Sequence, residues 1–283
     1  MRVTSLLEEV RAARWAEPDL TWGLVPTMGA LHEGHLSLVR RARAENDRVG
    51  VSIFVNPIQF NRPEDLASYP RQLERDCELL AAEGVDLVWT PSEADMYPPD
   101  YQTYVIVEQV TRPLEGAARP GHFRGVTTVV AKLFNVFQPT RAYFGQKDAQ
   151  QAAVIRQMVR DLAFNLEVVV CPIVREPDGL AMSSRNLLLK PDERQAATVL
   201  YRALKAAQAA WQEGQRDAEA LRATMRAVLQ TEPLARVDYV SVADPITLAE
   251  LDGAVKHALL SMAVFVGQVR LIDNLVLGGK DSP

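Results

Sequence analysis

Residues 21–170 alternate short β-branched runs with stretches of helical period, and that alternation restricts the chain to a mostly parallel sheet with helices on both faces. Strand-like runs are read at 21–26, 49–55, 85–89, 104–108, 142–144 and 166–170. Helical spacing places helices over 35–43, 71–83, 126–137 and 149–162. Upstream, Ser5 and Glu8 have the spacing of a capping box, which predicts a helix running from there toward Trp15. Asn56-Pro57 gives the second run a hard stop, because Pro lacks a backbone N–H and disfavours a helical residue before it. In sheets of this kind ligands sit beyond the carboxyl ends of the strands.

The pattern changes after Glu176-Pro177-Asp178-Gly179. Two alanine-rich helices are read over 192–213 and 217–229, followed by strand-like runs at 237–242 and 259–277. The expected organisation is therefore α/β, with a Rossmann-like doubly wound parallel sheet over 1–173 and a smaller α+β domain over 174–283.

Charge and cysteine usage limit the partners. Lys plus Arg number 31 against 36 Asp plus Glu, a net charge of −5, which argues against nucleic-acid binding driven by phosphate neutralisation. A local basic pocket for one small phosphorylated ligand remains compatible with that charge. Cys77 and Cys171 stand alone, so neither a disulfide framework nor a structural zinc knot is expected. The acidic N-terminus is unlike a signal peptide, and no apolar stretch is long enough for a membrane span. The expected setting is cytoplasmic.

The segment Pro26-Thr27-Met28-Gly29-Ala30-Leu31-His32-Glu33-Gly34-His35 carries the most chemical information. It joins a strand to a helix start, where free backbone N–H groups and the helix dipole favour a phosphate. His32 and His35, three apart, can face one ligand there. The residues alone leave two other readings open: a metal-binding pair without a recognisable third ligand, and two surface histidines beside a turn.

The segment resembles the His-x-Gly-His signature of the nucleotidyltransferase superfamily. Four later segments narrow the resemblance: Phe54-Val55-Asn56-Pro57-Ile58-Gln59-Phe60, Arg119-Pro120-Gly121-His122-Phe123-Arg124-Gly125, Phe144-Gly145-Gln146-Lys147-Asp148-Ala149-Gln150-Gln151 and Gly179-Leu180-Ala181-Met182-Ser183-Ser184-Arg185-Asn186. In this order, and over nearly the whole chain, they are similar to the pantothenate synthetase (pantoate–β-alanine ligase) family. The resemblance implies a ligase that condenses pantoate with β-alanine through a pantoyl adenylate, using ATP with Mg²⁺ and releasing AMP and diphosphate. It implies a homodimer and His35 as the active-site proton donor, while Ser183 to Arg185, near the boundary at Val174, predict that the 174–283 part closes as a lid. It also implies ATP contacts at Met28, Gly29, Ala30, Leu31, His32, Glu33, Gly34, His35, Gly145, Gln146, Lys147, Asp148, Val174, Met182, Ser183, Ser184 and Arg185. Gln59 and Gln151 are the implied pantoate contacts, with Gln59 serving β-alanine as well.

Taken singly, these residues have plainer readings. Gln59 is a hydrogen-bonded buried glutamine, Asp148 a helix cap, Lys147 a solvated lysine and Ser183-Ser184 a hydroxyl-rich turn. Asp76, on a predicted helix, is an expected aid to Mg²⁺, although that ion often rides on nucleotide phosphates with few protein carboxylates. Two alternatives share the motif: an adenylyl transferase that stops at transfer, and a nucleotide-binding regulator without catalysis.

Overall fold

A computed structural model describes residues 1–278, so the end of the expected 174–283 domain lies outside the described residues. The chain forms two compact units, Met1–Gln146 with Val154–Pro172, and Lys147–Ala153 with the chain from Ile173 onward.

The first unit is built on a six-stranded sheet of β1 (Arg2–Thr4), β2 (Trp22–Thr27), β3 (Arg48–Ile53), β4 (Leu87–Trp89), β5 (Arg141–Gly145) and β6 (Glu167–Cys171). The strand order is β1-β4-β3-β2-β5-β6, with every neighbouring pair parallel. A parallel sheet covered on both faces needs apolar residues on both sides of each strand, and Val49 and Val51 in β3 are accordingly buried. The Glu33–Glu45 helix buries Leu38, Val39 and Ala42 in the cluster that holds Val25, Val51 and Tyr143. The His122–Phe137 helix lies so close to β3 that a Cβ on Gly50 would come within 2.6 Å of the Phe137 ring.

From β2 the chain works outward through β3 to β4 on one side, while β5 leads to β6 on the other. The connections leaving β2 and β5 therefore diverge, which is where sheets of this kind bind ligands beyond their carboxyl ends.

In the second unit β7 (Ala235–Ala243), β8 (Ala258–Val266) and β9 (Val269–Leu277) form an antiparallel sheet. Its core joins Met262 and Val264 of β8 to Leu200 and Leu204 of the Val199–Gln212 helix and to Leu221 and Met225 of the Ala218–Leu229 helix.

Four local expectations are corrected. Ser5 does not cap the first helix: Leu7–Ala16 starts after Leu6, whose N–H donates to Thr4 Oγ1 at 3.1 Å. The residues before it form β1, which is too short to show a period. The run 104–108 joins no ladder among the described residues; Val105 bonds side chains instead, with Thr127 Oγ1 donating to Val105 O at 2.6 Å and Val105 N to Thr128 Oγ1 at 3.1 Å. The helix expected over 192–213 is divided into Pro191–Ala196 and Val199–Gln212, where the Thr198 hydroxyl bonds Gln195 O in competition with the helical ladder. Finally, the single run 259–277 is a hairpin of two strands turning through Gly267, at φ +58°.

Candidate active site

The connection after β2 is held by its backbone conformation and by one buried carboxylate. Gly29 and Ala30 both have positive φ, +81° and +52°, which turns the chain back on itself. The reversal is held by Asp76, which is fully buried and accepts from Ala30 N and Leu31 N at 2.8 Å each. This corrects the expectation that Asp76 aids Mg²⁺. Its two oxygens are committed to backbone N–H groups, and among the described residues no group of three His, Cys, Asp or Glu side chains is placed to hold a metal.

His32 is the N-cap of the Glu33–Glu45 helix. Its Nδ1 accepts from Gly34 N at 3.1 Å, while His35 Nδ1 accepts from His32 N at 3.3 Å, a reciprocal capping box made of two imidazoles. An Nδ1 that accepts leaves the proton of the neutral ring on Nε2. Both rings thus carry an Nε2–H donor at a helix start, with centroids 4.1 Å apart. The structure brings this pair together as the i, i+3 spacing predicts. Glu33 turns elsewhere, its carboxylate pairing with Arg40, so the backbone is what Glu33 offers a ligand.

Gln59 ends the Pro57–Gln59 turn after β3. Its Oε1 accepts from Asn56 Nδ2 at 3.0 Å and its Nε2 donates to Met28 Sδ at 3.0 Å, which joins Gln59 to the loop after β2. Asn56, 1% exposed, also donates to Gly125 O at 3.1 Å and accepts from the Tyr97 hydroxyl at 2.9 Å. Burial pushes the Tyr97 phenol well above its ordinary range, so it stays protonated and donates. His122 Nδ1 donates to Gln59 O at 2.8 Å, and a Cβ on Gly125 would meet Ile58 O at 2.6 Å. These supports were not singled out from the sequence. Asn56, His122 and Gly125 all lie inside the quoted motifs, yet their partners are 63 or more residues away for His122 and Gly125.

Beyond β5 the chain enters the turn Gln146–Asp148 and then the Ala149–Asp161 helix. In the second unit Lys147 lines a cavity with Ser183, Arg185, Asn186, Arg270 and Asp273. Val174 and Met182 are neighbours, with Met182 N donating to Val174 O at 3.0 Å, and the bridge between Arg175 and Ala181 closes the loop behind them. Gly179 turns this loop at φ +93°, and a Cβ there would lie 2.2 Å from the Tyr201 ring. Ser183 caps the Ser184–Leu188 turn by accepting from Arg185 N at 3.3 Å, leaving the Arg185 side chain exposed. Asp148 is exposed and lies 3.8 Å from Lys147 Nζ, while Gln151 is half-buried in the first turn of its helix. Burial pushes the Asp273 carboxyl up, against the pull of Arg175.

A doubly wound α/β protein with a paired-imidazole helix start at its strand switch point is the class this fold and site define. The sequence pattern of the family described as pantoate–β-alanine ligase matches residues 2–276, and the chain belongs to that family. It is 62% identical over 277 residues to the pantothenate synthetase of Roseiflexus castenholzii, covering 98% of this chain and 99% of the relative. The crystal structure of pantothenate synthetase from Thermus thermophilus superposes with a TM-score of 0.92 at 50% identity, covering 97% of this chain and 99% of that one. A pantoate–β-alanine ligase from Francisella tularensis, complexed with β,γ-ATP and β-alanine, gives a TM-score of 0.79 at 37% identity, covering 98% and 97%. Among the described residues no helix is long and apolar enough to cross a membrane.

Proposed function

We propose that this enzyme condenses pantoate with β-alanine at the expense of ATP, through a pantoyl adenylate, giving pantothenate, AMP and diphosphate. The observation that carries the chemistry is the reciprocal His32–His35 cap, in which both imidazoles hold their protons on Nε2 at the start of a helix. A carboxylate, with a pKa of about 4, is ionised at neutral pH, so attack of pantoate on the α-phosphorus needs no general base. It needs in-line positioning and donors where negative charge gathers. His35 and His32 supply such donors, with His35 donating a hydrogen bond to the phosphates from its Nε2–H. Lys147 adds a compact cation and Arg185 a guanidinium fork. In the second half-reaction the β-alanine amine attacks the acyl carbon and the acyl C–O bond breaks, expelling AMP.

ATP contacts are assigned in the first unit to Met28 through His35, Gly145 and Gln146, and in the second to Lys147, Asp148, Val174 and Met182 through Arg185. Gln59 and Gln151 are assigned to pantoate, and Gln59 to β-alanine. Mg²⁺ is assigned to the nucleotide phosphates as part of the substrate, in keeping with the commitment of Asp76 to the backbone. We further assign the 1–173 part to nucleotide and pantoate binding and the 174–283 part to a lid that excludes water from the hydrolysable adenylate. A homodimer is assigned on the family resemblance alone. A cytoplasmic setting is supported by the free thiols Cys77 and Cys171.

Oxygen transfer tests the route. With pantoate labelled by ¹⁸O in its carboxylate, the AMP released during turnover is expected to carry one labelled oxygen. Unlabelled AMP would show that no acyl–adenylate bond forms.

A further inference from the structure

Asp273 and Asn274 are adjacent on β9 and so point to opposite faces of the strand, yet they are only 2% and 3% exposed. Buried polar side chains on both faces of a strand detract from stability unless each finds partners. Asp273 receives both Nη groups of Arg175, at 2.7 and 2.9 Å. Arg175 also donates to Gly179 O at 3.0 Å and lies over the Tyr201 ring at 4.0 Å, so Asp273 braces the loop that leads to Met182 and the serine pair. Asn274 Nδ2 donates to the backbone carbonyl of Lys147 at 3.0 Å, and Asn274 N donates to Asp273 Oδ1 at 2.8 Å. One dipeptide thus ties both halves of the cavity that Lys147, Ser183 and Arg185 line.

We propose that Asn274 is a positioning residue for the first half-reaction: by holding the Lys147 carbonyl it fixes the backbone from which the Lys147 ammonium reaches the nucleotide phosphates. This rests on the reading of Lys147 as a phosphate contact. The carbonyl can only accept, so the amide end of Asn274 is what the position requires. A side chain of similar bulk without a donor leaves Lys147 O unanswered and lets the turn relax. Asn274 needs no contact with any substrate for this role.

The test separates the half-reactions in Asn274→Ala and in Asn274→Val, the latter a β-favouring variant that keeps the strand if alanine does not fold. Pantoate-dependent exchange of diphosphate into ATP is expected to fall at least 10-fold, with a raised KM for ATP. Aminolysis of preformed pantoyl adenylate by β-alanine should stay within 2-fold of wild type. In a Lys147→Ala background the Asn274 substitution should add less than 2-fold, because the group it positions is gone. Exchange within 2-fold of wild type, or equal losses in both half-reactions, would overturn the positioning role. So would full additivity with Lys147→Ala. Lys147→Ala exchanging like wild type would instead remove the reading of Lys147 on which the proposal stands.

Discussion

Replacing Asp76 by alanine is expected to lower both stability and activity. The substitution leaves the buried N–H groups of Ala30 and Leu31 without their acceptors and opens a void where the side chain stood. Each orphaned donor costs about 1–3 kcal/mol, so the loss should reach about 3 kcal/mol. For a chain of this size that is a melting temperature lower by roughly 6–12 °C. The loop from Met28 to Leu31 leads directly into the His32 cap, so exchange of diphosphate into ATP should fall on the order of 100-fold. Asp76→Asn should lose nearly as much, because its amide places an NH₂ against a backbone N–H. Calorimetry without magnesium, paired with the exchange assay, reads both effects. A variant that melts like wild type and regains activity at high Mg²⁺ would make Asp76 a metal ligand after all.

Substituting His35 by alanine separates catalysis from folding. Loss of one preorganised donor to developing charge typically lowers the rate about 10²–10³-fold, or ~2.7–4 kcal/mol in the barrier. The same change removes the acceptor for His32 N, a cap worth about 1 kcal/mol. Steady-state kinetics should therefore show the loss almost entirely in kcat, with melting only a few degrees lower. A rise in KM for ATP with kcat preserved would reduce His35 to a ground-state binding group.

The two predictions differ in how far their residues could be read from the sequence. His32 and His35 are an i, i+3 pair after a strand, and local spacing suffices to place them on one helix start. The strands β2, β3, β5 and β6 were legible for a similar reason, since β-branched runs bounded by turns mark buried parallel strands. Asp76 was different. Its partners are backbone N–H groups 45 and 46 residues away, and no periodicity encodes them. The segment at 104–108 is a β-branched run that reads as a strand, but Val105 bonds the Thr127 and Thr128 hydroxyls where a neighbouring strand is expected. Asn274 and Lys147 lie 127 residues apart and meet only after the chain has folded. Local patterns thus identified the elements and the chemically active motif, while the groups that hold the motif in place depend on tertiary contacts.

The central claim is a reversible adenylate-forming half-reaction at the His32–His35 helix start. The most direct measurement is exchange of labelled diphosphate into ATP with Mg²⁺ and pantoate present and β-alanine absent. Exchange that requires pantoate, and that collapses in His35→Ala, is the predicted result. No pantoate-dependent exchange in an enzyme shown separately to bind ATP would contradict the account.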